Sequence, residues 1–280
     1  MDANLLDTTI FIPNGDHEIP ARIEMPGNAA QDHTVPAVII LHGTGTNKDE
    51  IAGCYQRLAK MMAREGIASI RIDFLGHGES TGLQKDFTFA NARADILKAT
   101  EYIKQFDGVN KDRLGIMGWS QGGGHAYLAA ANEPGYSSVV TWACGAEWPL
   151  SMLIPPGARE EAEKNGFAVV VDVGEWGQST RYINFQWIKD VEALNIRHEV
   201  TKIDAPVLSI IGTEDFMTVE DVEKTAKACK NKNSRMYVIE GGTHTFNALT
   251  PDTRVFYQGA DATIKWFKET LETSVNHPQI

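Results

Sequence analysis

Apolar residues in this chain fall into two patterns that alternate. One is the short continuous run: Ala37-Val38-Ile39-Ile40-Leu41, then residues 67–72, Leu114-Gly115-Ile116-Met117, Ser138-Val139-Val140-Thr141-Trp142, residues 206–212 and residues 235–239. Runs of this length, rich in β-branched residues and lacking polar alternation, predict strands buried on both faces. The other pattern has helical spacing. Ile51, Cys54, Leu58 and Met61/Met62 mark one helical face, residues 90–106 a second helix, and the Ala-rich stretch at 125–132 a third. Two further strands, at 7–13 and 19–25, flank an Asn14-Gly15 turn at the start of the chain. Strand and helix in alternation predict an α/β fold with a mostly parallel, doubly wound sheet and helices on both faces. In such sheets ligands bind beyond the carboxyl ends of the strands.

Residues 147–200 break the alternation. They hold Pro155-Pro156-Gly157, an acidic helical patch at 158–164, an apolar strand at 167–173, a polar turn at 174–178 and a second strand that runs into a helix around 182–187. This predicts an inserted cap of helix, β-hairpin and helix, with 1–146 and 201–280 forming the core domain. The insertion carries Trp148, Trp176, Tyr182, Phe185 and Trp187. Each of them is expected to build the cap's own small core, and as a set they are expected to supply one or two walls of a substrate pocket.

The chemistry begins at Gly118-Trp119-Ser120-Gln121-Gly122, between the run that ends at Met117 and the Ala-rich helix. Strand, sharp turn and helix are what a nucleophile elbow requires, with glycines where a side chain would clash. A chain of this composition contains roughly 0.08 such pentapeptides by chance, so the motif needs partners. It has them. The strand at 206–212 runs into Thr213-Glu214-Asp215, and the strand at 235–239 runs into a Gly-rich loop carrying His244. A serine hydroxyl attacks at neutral pH only while a base removes its proton. Histidine titrates near neutrality and can do this, and a carboxylate on its far nitrogen fixes the tautomer. Ser120, Asp215 and His244 are the candidate catalytic set, with Glu214 a competitor for the acid. The other seven histidines, His17, His33, His42, His77, His125, His198 and His277, sit in turns, charged stretches, a helix or the tail, where structural roles suffice. The oxyanion of an acyl intermediate needs two N–H donors. The candidates are the backbone of Gln121, just after the serine, and of Thr44, in the His42-Gly43-Thr44-Gly45-Thr46 loop that follows the run at 37–41.

Together these residues resemble the α/β-hydrolase superfamily, and within it the bacterial feruloyl/cinnamoyl esterase-like serine hydrolases. The resemblance rests on the His42–Thr46 loop, Asp73-Phe74-Leu75-Gly76-His77-Gly78-Glu79-Ser80, the elbow through Gly123, Gly212 to Asp215, and Gly241 to His244. It implies an α/β-hydrolase fold, no cofactor, no metal and a small-molecule ester as substrate. It also implies that the loop around His77 turns the chain rather than touching substrate. The chain departs from the pattern at Trp119, where histidine is usual, and at Thr44, where an aromatic is common. Both lie beside the site and bear on substrate range. Trp119, Trp148 and Trp187 are the candidate substrate-binding side chains.

Composition narrows the alternatives. The chain has 280 residues, 42% of them hydrophobic, enough to fill a sizeable core. Its net charge of −11 opposes nucleic acid and anionic membrane surfaces. Mean hydropathy is −0.25, and no run reaches the roughly 18 apolar residues that span a bilayer. The first residues show neither a basic segment nor an apolar core of a secretory signal. Cys54, Cys144 and Cys229 are odd in number, far apart and set in apolar or amphipathic runs. Buried thiols in a cytoplasmic, reducing compartment are expected, with a homodimer allowed. The function expected is a serine carboxylic-ester hydrolase working through an acyl-enzyme on small to medium apolar or aromatic acyl esters. The alternatives are an acyl-peptidase-like serine peptidase, which usually carries a large extra domain, and a non-catalytic binding module on a hydrolase scaffold, which typically lacks one of the three candidate residues.

Overall fold

The computed structural model describes residues 5–174 and 177–272. Strands β1 (Leu6–Asn14) and β2 (His17–Met25) form a hairpin in which Asn14 pairs with His17, so the loop is Gly15-Asp16, one residue later than the Asn14-Gly15 expectation. The remaining strands of the main sheet are β3 (Val35–Leu41), β4 (Ala68–Ile72), β5 (Val109–Trp119), β6 (Tyr136–Trp142), β9 (Val207–Gly212) and β10 (Arg235–Ile239). Between β6 and β9 a second, two-stranded sheet is formed by β7 (Phe167–Gly174) and β8 (Gly177–Asn184). The helices are α1 (Cys54–Arg64), α2 (Phe89–Lys104), α3 (Gln121–Asn132), α4 (Leu150–Leu153), α5 (Ala158–Asn165), α6 (Phe185–Ala193), α7 (Ile196–Glu199), α8 (Val219–Ala228) and α9 (Arg254–Glu272).

The main sheet has the order β1-β2-β4-β3-β5-β6-β9-β10. β1 and β2 run antiparallel and every pairing from β4 to β10 is parallel. Alternate residues of each parallel strand serve opposite faces. On β3, Ala37, Ile39 and Leu41 enter the cluster completed by α2 and α3. Val38 and Ile40 enter the cluster completed by α1 and α9. This two-sided burial is why the strands read as continuous apolar runs. The chain goes from β3 to β4 on one side and returns to β5 on the other. The β3/β5 boundary is therefore the point where strand order reverses, and a crevice opens beyond its carboxyl edge.

Helix ends follow local chemistry. Thr88 Oγ1 accepts from Asn91 N at 3.2 Å at the start of α2, and Thr218 Oγ1 accepts from Asp221 N at 3.2 Å at the start of α8. α9 buries Val255, Phe256, Gly259, Ala260, Thr263, Ile264, Phe267 and Leu271, a stripe at i, i+4 spacing that closes one face of the sheet.

The β7–β8 hairpin is antiparallel, with Phe167 opposite Asn184. Its inward residues Ala168, Val170 and Ile183, with Trp187, Ile188 and Val191 of α6, pack into the same cluster as β3, α2 and α3. Val169, Val171 and Val173 face outward. Polar ties hold the hairpin to the Gln84–Asp86 turn: Tyr182 N donates to Gln84 Oε1 at 2.9 Å and Asn184 Nδ2 to Lys85 O at 2.7 Å. Trp176 and His277 lie outside the described residues. No helix among those described is long and apolar enough to cross a membrane.

Candidate active site

Ser120 stands between β5 and α3 with φ 54° and ψ −121°, a backbone conformation costly for any residue with a Cβ. Close contacts enforce it. A Cβ at Gly118 would overlap the Gly122 carbonyl, and one at Gly122 would overlap the Leu41 and His42 carbonyls. These two glycines let β5, β3 and the first turn of α3 come together. Ser120 N donates to Trp142 O at 2.8 Å, and Ser120 O accepts from Gly123 N at 2.9 Å, so the backbone is held on both sides while the hydroxyl projects outward.

His244 arrives on the loop after β10. Its Nε2 lies 3.0 Å from Ser120 Oγ and its Nδ1 2.9 Å from Asp215 Oδ1. The three residues named from the sequence therefore form one hydrogen-bonded series. Asp215 is fixed in turn by Met217 N, which donates to Oδ1 at 2.8 Å, while its buried Oδ2 has no hydrogen-bond partner. Glu214 is exposed to solvent and engages Gly242 O only through its backbone N–H, at 2.9 Å. Of the two candidate acids, only Asp215 reaches the imidazole. Two features shape the base that the sequence reading did not single out. The Phe216 ring stacks on His244 with centroids 4.0 Å apart and an interplanar angle of 29°. Trp119 Nε1 donates to His244 O at 2.9 Å.

The loop after β3 brings Thr44 to the opposite side of Ser120. Thr44 Oγ1 donates to Gln121 Oε1 at 2.7 Å, tying the two candidate oxyanion residues together. Among the described residues, the backbone N–H groups of Thr44 and Gln121 meet no protein acceptor. Glu50 lies beneath this loop and was not expected from the sequence. It is buried, its backbone is left-handed (φ 56°), and its carboxyl accepts from Gly43 N, from Thr46 Oγ1 at 3.0 Å and from Ile51 N at 3.2 Å. Burial is the main cause that raises its pKa to about 7, against those hydrogen bonds. Its sequence signal was an acidic residue soon after a Gly-rich turn, too common to single out.

Three other histidines lie behind the oxyanion loop. His42, His77 and His125 are buried together with Phe74 and Phe87, and the half-buried Phe89 packs on His125. Burial pushes all three pKa values down, that of His125 to about 3. His42 Nδ1 faces Gly43 O at 2.8 Å while Phe74 N donates to its Nε2 at 3.2 Å, a pairing that requires the neutral ring. The loop around His77 is organised by Asp73, which accepts from Lys48 N and Lys48 Nζ at 2.7 Å and from Glu79 N at 2.9 Å.

Two cavities meet at Ser120. The smaller, a narrow space of about 30 Å³, is lined by both oxyanion candidates and by Ala143, Cys144, Trp148, Leu153, Phe216 and Met217. The larger, of about 290 Å³, adjoins His244 and includes Glu50, Thr46, Ser179, Asp172 and Arg181. Arg181 on β8 pairs with Asp172 and its guanidinium also reaches Leu153 O at 3.4 Å. The three tryptophans named from the sequence part company here. Trp148 lines the smaller cavity. Trp119 is buried against Tyr55, Trp142 and Phe246 and also lines the larger cavity. Trp187 is buried against Phe89 and borders a narrow space beside Gln121, His77 and Arg181. Cys54, Cys144 and Cys229 are buried free thiols, and burial raises the pKa of each. Among the described residues no cluster of three His, Cys, Asp or Glu side chains could hold a metal ion.

A mostly parallel sheet flanked by helices, with a serine on a strained turn at its topological switch point, defines an α/β hydrolase. Within that class the chain belongs to the hydrolase family described as serine aminopeptidase, S33, whose model matches residues 32–171. It is similar to an uncharacterized 31.7 kDa protein of Escherichia coli from the traX-finO intergenic region, 23% identical over 247 residues, 81% of this chain and 82% of that one. It is also similar to the 2,6-dihydropseudooxynicotine hydrolase of Paenarthrobacter nicotinovorans, 22% identical over 218 residues, 76% of this chain but only 53% of that protein. Among solved structures, Est1E from Butyrivibrio proteoclasticus with ferulic acid bound matches with a TM-score of 0.74 at 23% identity, covering 94% of this chain and 100% of that one. The hypothetical protein PA2218 of Pseudomonas aeruginosa matches with a TM-score of 0.75 at 17% identity, covering 96% and 94%. These structural likenesses establish the fold.

Proposed function

We propose that this serine hydrolase cleaves carboxylic esters through an acyl-enzyme on Ser120, with His244 as base and Asp215 as its orienting acid. The observation that carries this reading is the series Ser120 Oγ to His244 Nε2 at 3.0 Å and His244 Nδ1 to Asp215 Oδ1 at 2.9 Å, beside two unspent N–H groups. Ser120 Oγ attacks the ester carbonyl as its proton passes to His244 Nε2. The N–H groups of Thr44 and Gln121 hold the oxyanion. The tetrahedral intermediate collapses, His244 returns the proton to the alcohol oxygen, and the alcohol leaves. Water, losing a proton to His244, then attacks the acyl carbon and frees the acid and Ser120.

The acyl group belongs in the smaller cavity, since that space touches both oxyanion donors. Its lining of Trp148, Leu153, Met217 and Phe216 suits a small to medium apolar or aromatic acyl group. The leaving alcohol belongs in the larger cavity, where Thr46, Glu50, Ser179 and Arg181 stand among Ile51, Met152 and Phe216, on the side of His244, which must protonate it. Residues 147–200 act as a cap, supplying Trp148 and Leu153 to the first space and Asp172 and Arg181 to the second. The family description favours a second reading, hydrolysis of an amide at the amino end of a peptide, which uses the same machinery. Purified protein is assayed on p-nitrophenyl acetate, butyrate and octanoate, methyl ferulate and aminoacyl p-nitroanilides. A burst of nitrophenol with higher kcat/KM on esters supports the first reading. Preference for the anilides transfers the assignment to the second, and no turnover of any of them with no labelling by an organophosphonate leaves a binding module.

A further inference from the structure

Glu50 is buried, and its carboxyl accepts three hydrogen bonds. One oxygen accepts from Gly43 N and Thr46 Oγ1, and the other accepts from Ile51 N. Its own backbone is left-handed, at φ 56°, a conformation a glutamate adopts only under constraint. The residues it grips bracket Thr44, and the Cβ direction of Gly43 points between the Glu50 carboxylate, Trp119 O and Ser120 Cβ. The carboxylate is thus packed against the turn that carries one proposed oxyanion donor, within the cavity that also holds Ser120 and His244.

We propose that Glu50 is a positioning residue for the oxyanion loop, and that its ionised form is the one that holds Thr44 N–H toward Ser120. This rests on the acyl-enzyme reading above. The physical reason is a count of donors and acceptors. A carboxylate offers lone pairs at both oxygens, matching three donors. A glutamine has one oxygen replaced by an NH2 donor, which meets Gly43 N–H or Ile51 N–H head on. A protonated carboxyl keeps a lone pair on its hydroxyl oxygen but loses the negative charge that strengthens its bonds to these donors. In either case the grip on the loop weakens and the loop can drift from the geometry that the transition state requires.

The groups facing Glu50 leave it as the titrating member. Across the cavity His244, when protonated, favours the carboxylate. On α1, burial holds the Cys54 thiol up at about 11 and the Tyr55 phenol higher than usual, so both stay neutral near pH 7. Asp172 and Arg181 on the far wall are paired with each other, Asp49 is paired with Arg71, and Lys48 with Asp73 and Glu79. Burial places the Glu50 ionisation at about 7, within the range where such an enzyme is assayed. As pH falls through that value the neutral acid forms, so activity should fall for a second reason besides protonation of His244.

The test compares wild type with Glu50→Gln and Ser120→Ala on one p-nitrophenyl ester between pH 5 and 9. Stoichiometric phosphonate labelling of Glu50→Gln checks that its site is folded. Glu50→Gln should lower kcat about 10- to 100-fold at pH 8 with KM nearly unchanged, since oxyanion contacts act in the transition state. The acid limb of the wild-type kcat/KM profile should require two ionisations and that of Glu50→Gln only one. The proposal is overturned by a wild-type limb that fits a single ionisation, a result that holds even if the variant does not fold. It is overturned equally if the variant's profile superimposes on the wild type, or if its loss lies wholly in KM. Failure of the acyl-enzyme reading would look different: Ser120→Ala would remain active.

Discussion

The edge of the sheet that carries Ser120 and residues 147–200, which supply Trp148, Leu153, Asp172 and Arg181 to the cavities beside it, are built by different means. Around Ser120 the backbone decides. Gly118 and Gly122 admit contacts no side chain would allow, Ser120 N is tied to Trp142 O, and the loops after β3, β5, β9 and β10 converge on Ser120. In the overlying segment side chains decide. The hairpin forms a two-stranded sheet of its own, and it is held by buried Val170, Ile183 and Trp187 and by the polar ties of Tyr182 and Asn184 to the Gln84–Asp86 turn. A backbone-defined site tolerates little change, whereas a side-chain-defined wall can be recut. The lesson is that chemistry and selectivity are expected to fail separately in this molecule.

The largest effect should come from the backbone-built edge. Ser120→Ala is expected to lower kcat by about 10³–10⁶-fold, since such residues act as a unit. An organophosphonate should label Ser120 stoichiometrically, and peptide mapping after labelling checks this. Modification at another residue would remove the basis of the comparison.

Next in size is the acid. Asp215→Asn should cost up to about 10⁴-fold in kcat by presenting the wrong imidazole tautomer. Glu214→Gln should leave kcat nearly unchanged, because that side chain faces solvent. The reverse ranking would show that the loop after β9 rearranges in solution.

The overlying wall should give a smaller, selective effect. Trp148→Ala enlarges the smaller cavity, so kcat/KM for methyl ferulate relative to p-nitrophenyl acetate should change by about 10- to 200-fold, with labelling of Ser120 retained. Trp187→Ala, one layer back against Phe89, should act mainly on stability. If neither variant alters the ranking, the segment is a lid without influence on acyl choice.

The smallest effect concerns the seam between the two regions, where His125 packs against Phe89, which in turn meets Trp148 and Trp187. Its folded pKa of about 3 lies below the ordinary value of 6.5. Below about pH 6.5 the unfolded chain binds a proton that the folded chain refuses, so stability falls as pH drops toward the folded value. The slope is about 1.4 kcal/mol per pH unit for such a group, or about 2 kcal/mol between pH 6.5 and 5. His42 and His77 act in the same direction. Glu50 acts oppositely: its raised pKa favours the folded state below about 4.5, and this is lost as pH rises to about 7. Urea unfolding at pH 7 and pH 5 should show wild type losing more stability than His125→Gln. Equal losses would mean that this ring is solvated at the seam.

What the sequence by itself determined is the part written in local rules. Continuous apolar runs, the intervening helical spacings and the glycines flanking Ser120 were enough for a mostly parallel sheet with an elbow, because burial on both faces and forbidden Cβ positions leave marks at single residues. Ser120, Asp215 and His244 could be named because each follows a strand, and strand ends converge in this fold. Tertiary structure decided the rest. The sequence preferred Asp215 to Glu214, and the turn shows why, pointing the Asp215 carboxylate at the imidazole and the Glu214 carboxylate at solvent. Trp119, adjacent to the serine, packs on Tyr55, Trp142 and Phe246, grips the His244 carbonyl and lines the larger cavity, while Trp148, far off in sequence, lines the smaller one. Phe216 on the imidazole, Glu50 beneath the oxyanion loop and the buried stripe of α9 were not singled out at all. Their roles depend on which distant backbone they meet, and no pattern of neighbours along the chain records that.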